Sequence, residues 1–144
     1  MKLLFKGRKK LNKLYEQSKA KNLPQGITNG VAILAIPIIS VFFALFIKLF
    51  IWKGKIFSSQ KSETVADSVI NRVSPFNIKA VKGRVYLSSS WIDGKPTIVI
   101  EYNKSGFPFN KVRDEVREME PGVYVGKMWF YKTQVLHFTL TYKK

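Results

Sequence analysis

Carboxylates are scarce in this chain, and four of its nine lie together: Asp114, Glu115, Glu118 and Glu120 in RDEVREMEPGVYVGKMWF, residues 113–130. Acids at such spacing could do acid/base work or collect a divalent cation. Arg113 and Arg117 interleave with them, however, and nearby cations favour the ionised carboxylate, which works against a raised pKa. No calcium-loop pattern with its glycine accompanies them. Nucleophilic catalysis would need a nucleophile, a base and an orienting group. Ser88, Ser89 and Ser90 run through a strand-like stretch without a nucleophile-elbow pattern. His137 is the one histidine, and alternation puts it on an outer face with Thr139 and Thr141, so its expected place is a surface or interface. A lone histidine has no supporting signal as a haem or pigment ligand. With no cysteine, thiolate zinc sites, disulfides and cysteine nucleophiles are excluded. The sequence predicts no catalytic residue, no metal and no obligatory cofactor.

The segment itself must sit on some element. As a helix, Arg113/Arg117 and Asp114/Glu118 would form like-charge pairs one turn apart, a small penalty. As a strand, Arg113, Glu115, Arg117 and Met119 share one face, and Val112, Asp114, Val116 and Glu118 share the other. Pro121-Gly122 then makes a turn, and the strongly β-forming VYVGKMWFY returns, with Gly126 letting a large neighbour pack close. The spacing predicts a hairpin whose exposed charges Arg113, Asp114, Glu115 and Arg117 meet a partner or lipid.

The 144 residues carry a formal charge of +16. Residues 1–26 hold eight cations against Glu16 alone, a basic arm in which Leu4, Leu11, Leu14 and Tyr15 fall near one helical face. Such a helix, led by Arg8, Lys9 and Lys10, suits an anionic membrane surface. No nucleic-acid-binding signature accompanies the charge, and no nucleic-acid partner is expected. ITNGVAILAIPIISVFFALFIKLFIW, residues 27–52, reads as a single transmembrane helix. It would be roughly 39 Å long against a hydrocarbon core of about 30 Å. Pro37 is tolerated in lipid, and Lys48 can snorkel towards the interface where Trp52 belongs. A buried core helix and a cleaved signal sequence are the rival readings. The density of cations before the span puts the N-terminus on the cytoplasmic, stromal or matrix side, with residues 53–144 across the membrane.

Residues 53–144 switch period. SETVADSVINRVSP predicts a helix over 62–74, with Val65, Val69 and Val73 in one stripe. Beyond it, period-two alternation and turn signals at Asp93-Gly94 and 105–108 give about six to eight strands. A small antiparallel barrel removes sheet edges and gives the apolar faces an interior. An open sheet backed by the helix is the other arrangement.

WKGKIF (52–57), VKGRVYLSSSWIDGKPTIVIEY (81–102) and VRDEVREMEPGVYVGKMWF (112–130) together resemble a family of small lipocalin-like β-barrel domains, membrane-tethered or free-standing. The pattern is a WxGK start, an SWxDGKP hairpin and an RDE[IV]RExxPG[LV]Y[LV]G hairpin, spanning nearly all of 52–142. The resemblance implies a lipocalin-like fold and carries over no catalytic residues.

Two functions follow as expectations. One is a non-enzymatic accessory subunit of a larger membrane complex, such as a photosynthetic or respiratory one, with other subunits and anionic lipids as partners. The alternative is a membrane-tethered binder of a lipid, pigment or other apolar ligand, lined by Trp91, Tyr102, Phe130, Phe138 and Leu140.

Overall fold

The computed structural model describes residues 3–5, 8–20, 24, 26–34, 52–58, 68–73, 78–107 and 109–142. In chain order these give β1 (Leu3–Phe5), α1 (Arg8–Gln17), β2 (Gly26–Leu34), β3 (Trp52–Ser58), β4 (Ser68–Val73) and β5 (Ile78–Ser89). β6 (Pro96–Glu101), β7 (Val112–Glu120), β8 (Val123–Phe130) and β9 (Thr133–Tyr142) follow. Neighbours in sequence pair antiparallel from β2 through β9, and β9 then pairs with β2, which closes the wall into a barrel. β1 adds in parallel to the end of β2, with Leu3 opposite Ala32.

One rim holds the ends of β2, β4, β6 and β8 and the starts of β3, β5, β7 and β9; we call it the upper rim. The Asp93-Gly94 and Pro121-Gly122 turns lie at the lower rim, with Gly94 and Gly122 at φ 71° and 78°, where a side chain would be strained.

Alternation divides every strand. Ile98, Ile100, Val112, Val116, Met128, Leu136, Phe138 and Leu140 join one buried interior cluster, as hydrophobic burial requires. The alternation that puts His137, Thr139 and Thr141 outside would send Leu136, Phe138, Leu140 and Tyr142 inward; the first three are buried, whereas Tyr142 lies half-exposed at the lower rim against Tyr124, ring centroids 6.0 Å apart. Gly126 faces Phe138 across the β8–β9 ladder, and a Cβ there would lie 2.2–2.8 Å from three ring atoms. Gly126→Ala should therefore cost about 1–3 kcal/mol by overpacking, read as a lower urea midpoint.

Three sequence expectations change. The span predicted from Ile27 begins as a strand: Thr28–Leu34 pairs residue by residue with Leu136–Tyr142, so this stretch is barrel wall. Residues 35–51, with Pro37 and Lys48, lie outside the described residues, and Trp52 opens β3. Among the described residues no helix is long and apolar enough to cross a membrane. The helix predicted over 62–74 is a strand where it is described: β4 pairs with β3 and β5 on its two sides. The basic arm does form a short helix, but Leu4 lies outside it in β1. Leu11 and Tyr15 are buried on the barrel's outer wall, so this apolar stripe is taken.

Candidate functional site

β7 carries charge on both faces of the wall. Its inward face reads Val112, Asp114, Val116, and its outward face reads Arg113, Glu115, Arg117 beneath α1. These charges are 0–9 % exposed, so Arg113, Asp114, Glu115 and Arg117 are not the surface contacts their sequence suggested. α1 covers the outward face and the barrel interior encloses Asp114, where a bare hairpin would have shown both to solvent.

Inside the barrel, Asp114 meets Lys55, which shares a face of β3 with buried Phe57. Lys55 Nζ lies 3.0 Å from Asp114 Oδ2 and donates to the Tyr102 hydroxyl at 2.6 Å. That hydroxyl donates onward to Asp114 Oδ2 at 2.8 Å, closing a three-membered ring of charge and hydrogen bonds. The ammonium also lies 5.3 Å and 5.5 Å from the ring centroids of Tyr102 and Phe138, within cation–π range. Burial pushes the Lys55 ammonium below the usual lysine range, while the Asp114 charge and hydrogen bond oppose that shift. Thr28 braces β3 here: its hydroxyl donates to Lys55 O at 2.8 Å and accepts from Lys55 N at 3.1 Å. The three groups come from β3, β7 and the end of β6, towards the upper rim.

Of the predicted lining, Tyr102, Phe130, Phe138 and Leu140 are buried in the interior cluster. Trp91 is not: it lies on the outside, 46 % exposed, edge-on to Trp129 with Arg113 stacked 4.2 Å from its ring. Lys55 was missed because a lysine in a strand reads as surface. The signal was present, since in KGKIF Lys55 and Phe57 fall on the same side and Ile56 on the other.

Outside, α1 is fastened by polar groups. The Tyr15 hydroxyl lies 2.7 Å from Thr97 Oγ1 and 3.2 Å from both Ser90 Oγ and Glu115 Oε1. Glu115 also accepts from Ser90 Oγ, Trp91 N and the Arg113 guanidinium. Burial, assisted by the Glu115 charge, pushes the Tyr15 phenol up to about 12 against the Ser90 and Thr97 hydrogen bonds, so it stays a neutral donor. Arg117 forks onto Asp93 with two 2.7 Å bonds, stacks 4.3 Å from the Tyr15 ring and donates to the carbonyls of Tyr15, Lys95 and Pro96. Asn12 bonds Lys127 and lies 3.1 Å from His137 Nε2, which Gln134 also meets. His137 thus faces outward as alternation predicted, but the helix buries it completely. Tyr15→Phe should cost about 1–3 kcal/mol, because buried partners lose a hydrogen bond. Hydrogen exchange should rise in α1 before it rises in β7.

Taken together, the outer network has every charged member held by α1 or a hairpin, which is what a clamp does. The inner ring is a compact polar centre set among the apolar side chains of the interior cluster, the combination of groups a ligand site uses. Among the described residues no group of three or more His, Asp or Glu could hold a metal ion.

No family model matches the chain, and no curated protein matches it. Among solved structures, a crystal structure of a protein from Thermomonospora curvata is similar, at 20 % identity and a TM-score of 0.63. The likeness covers 95 % of this chain and 88 % of that one, so it takes in amino-terminal elements as well as the later hairpins. At this identity it concerns the fold.

Proposed function

We propose that the barrel interior binds a small apolar molecule through an uncharged hydrogen-bonding head. Lys55, Asp114 and Tyr102 hold the head, and Phe130, Phe138 and Leu140 face the tail. The observation that carries this is the ion pair itself: both side chains are at most 5 % exposed, beside the apolar interior cluster of the barrel. Taking two charges out of water costs several kcal/mol each, and well-packed apolar residues in their place are often as stable or more so. A charged pair kept in such a place suits recognition better than it suits stability. The pair is internally neutral. A carboxylate ligand would meet Asp114 and an ammonium would meet Lys55, whereas a hydroxyl, ketone or amide can bond to either without a net charge to bury.

An alcohol, a carboxylate and an amine on the same twelve-carbon chain test this by thermal shift. Dodecanol should raise the melting temperature most, since a ligand at a hundred times its Kd adds about 2.7 kcal/mol to the folded state. Lys55→Met combined with Asp114→Leu should abolish the preference for the alcohol. Equal shifts in parent and double variant, or none with any of the three, would sink the proposal. The accessory-subunit reading leaned on a membrane span from Ile27 to Trp52. With Gly26–Leu34 in the barrel wall, no observation on the described residues favours it over binding.

A further inference from the structure

We infer that the upper rim of the barrel is a docking surface for an anionic phospholipid bilayer. The inference is independent of what the interior binds. Phe107, in the β6–β7 loop, is 67 % exposed, and Tyr131, in the β8–β9 turn, is 55 % exposed, the two largest exposures among the described large apolar side chains. They flank Phe130, whose ring is edge-on to both at 6.3 Å and 4.8 Å. Tyr131 has φ 54°, a left-handed conformation that costs a non-glycine residue about 1–2 kcal/mol. Its backbone N donates to Lys111 O at 3.0 Å, which fixes the turn and leaves the ring pointing out. The ring's edge-on contact with Phe130 and its approach to Lys111 Nζ at 5.9 Å use one side of it, and the strained turn leaves the rest of the ring outside as an interfacial anchor.

Charge points the same way. Lys104, Lys111 and Lys132 are exposed on these two loops, and neither residues 102–111 nor 131–132 contain an acid. α1 starts towards this rim, since Asn12 approaches Gln134 near the start of β9 while Lys19 pairs with Glu118 near the other end. Its first turn has no acid and carries Lys9 and Lys10 exposed. Cations at a helix N-terminus oppose the helix dipole, a local cost that an anionic surface would offset. Aromatic rings set among lysines with no acid between them match the headgroup region of an anionic bilayer, where each cation contributes about 1 kcal/mol.

The full chain should sediment with phosphatidylcholine vesicles containing about one third phosphatidylglycerol, and release at about 0.5 M salt, where screening shortens to a few ångströms. Phe107→Ser with Tyr131→Gly should weaken binding at least about tenfold. The Tyr131→Gly change relieves the strained turn, so this variant should remain folded by circular dichroism. Lys104→Glu, Lys111→Glu and Lys132→Glu together should weaken it as much. Lys55→Met with Asp114→Leu should bind vesicles like the parent, which separates this surface from the interior. No binding of the parent to the anionic vesicles would overturn the inference. Parent-like binding by both rim variants would overturn it too, by placing the contact elsewhere on the chain.

Discussion

Asp114→Asn should destabilise the protein by about 3–5 kcal/mol near neutral pH, the cost of leaving a buried ammonium without its counter-charge. Asp114 is the Coulombic partner that opposes the desolvation of Lys55, so without it the lysine pKa falls further. The sign of the pH dependence then follows. In the variant, the folded Lys55 pKa lies further below the unfolded value of 10.5, so in the window between the two the folded lysine has lost a proton that the unfolded one still binds. The unfolded state therefore binds more protons, and stability rises with pH, by about 1.4 kcal/mol per unit, until the unfolded lysine also titrates. The deficit relative to the parent should shrink as pH rises towards the unfolded lysine's 10.5. Lys55→Met with Asp114→Leu should lack both the deficit and the slope, because no charge remains to strand. Urea unfolding at four or five pH values checks all three. A single variant as stable as the parent, with no pH slope, would mean that the pair is not buried as described.

Arg117→Met should cost about 3 kcal/mol or more, through the partners that it leaves behind. Arg117 is 1 % exposed and ties the 90–95 turn, β7 and α1 together, so its loss strands Asp93 and three carbonyls at once. The pH signature is separate. Hydrogen bonds from Arg117 hold the Asp93 carboxyl down at about 2, below its ordinary 3.8. A depressed acid stabilises the fold fully above its unfolded pKa, and that contribution is lost as pH falls from about 4 towards 2. Asp93→Asn should be less stable than the parent at neutral pH and should lose less on acidification through that window. Parallel acid-unfolding curves for the two proteins would contradict the fork as the source of the shift.

What the sequence made legible was the part whose signals are local. The Asp93-Gly94 and Pro121-Gly122 turns fix the β5–β6 and β7–β8 hairpins, and strict alternation in β9 separates Leu136, Phe138 and Leu140 from His137. β2 was hidden because a continuous apolar run has no period, and length then argued for a helix. β4 was misread for a related reason. Valines at 65, 69 and 73 are four apart, which is one face of a helix but also an even spacing, hence one face of a strand. The hairpin charges were placed on the correct two faces of β7. Their burial was not legible, because it depends on α1 and β3, which lie far away in sequence. The Lys55–Asp114 contact joins positions on separate strands, and no local pattern announces such a pairing.

If the polar centre inside the barrel serves a ligand, that ligand should travel with the purified protein. The most direct test is solvent extraction and mass spectrometry of the parent purified in parallel with the Lys55→Met/Asp114→Leu variant. The parent should yield an apolar molecule with an uncharged polar head at near-equal stoichiometry, and the variant none. Extracts that carry the same molecule in the same amount from both proteins, or no such molecule from the parent, would contradict it.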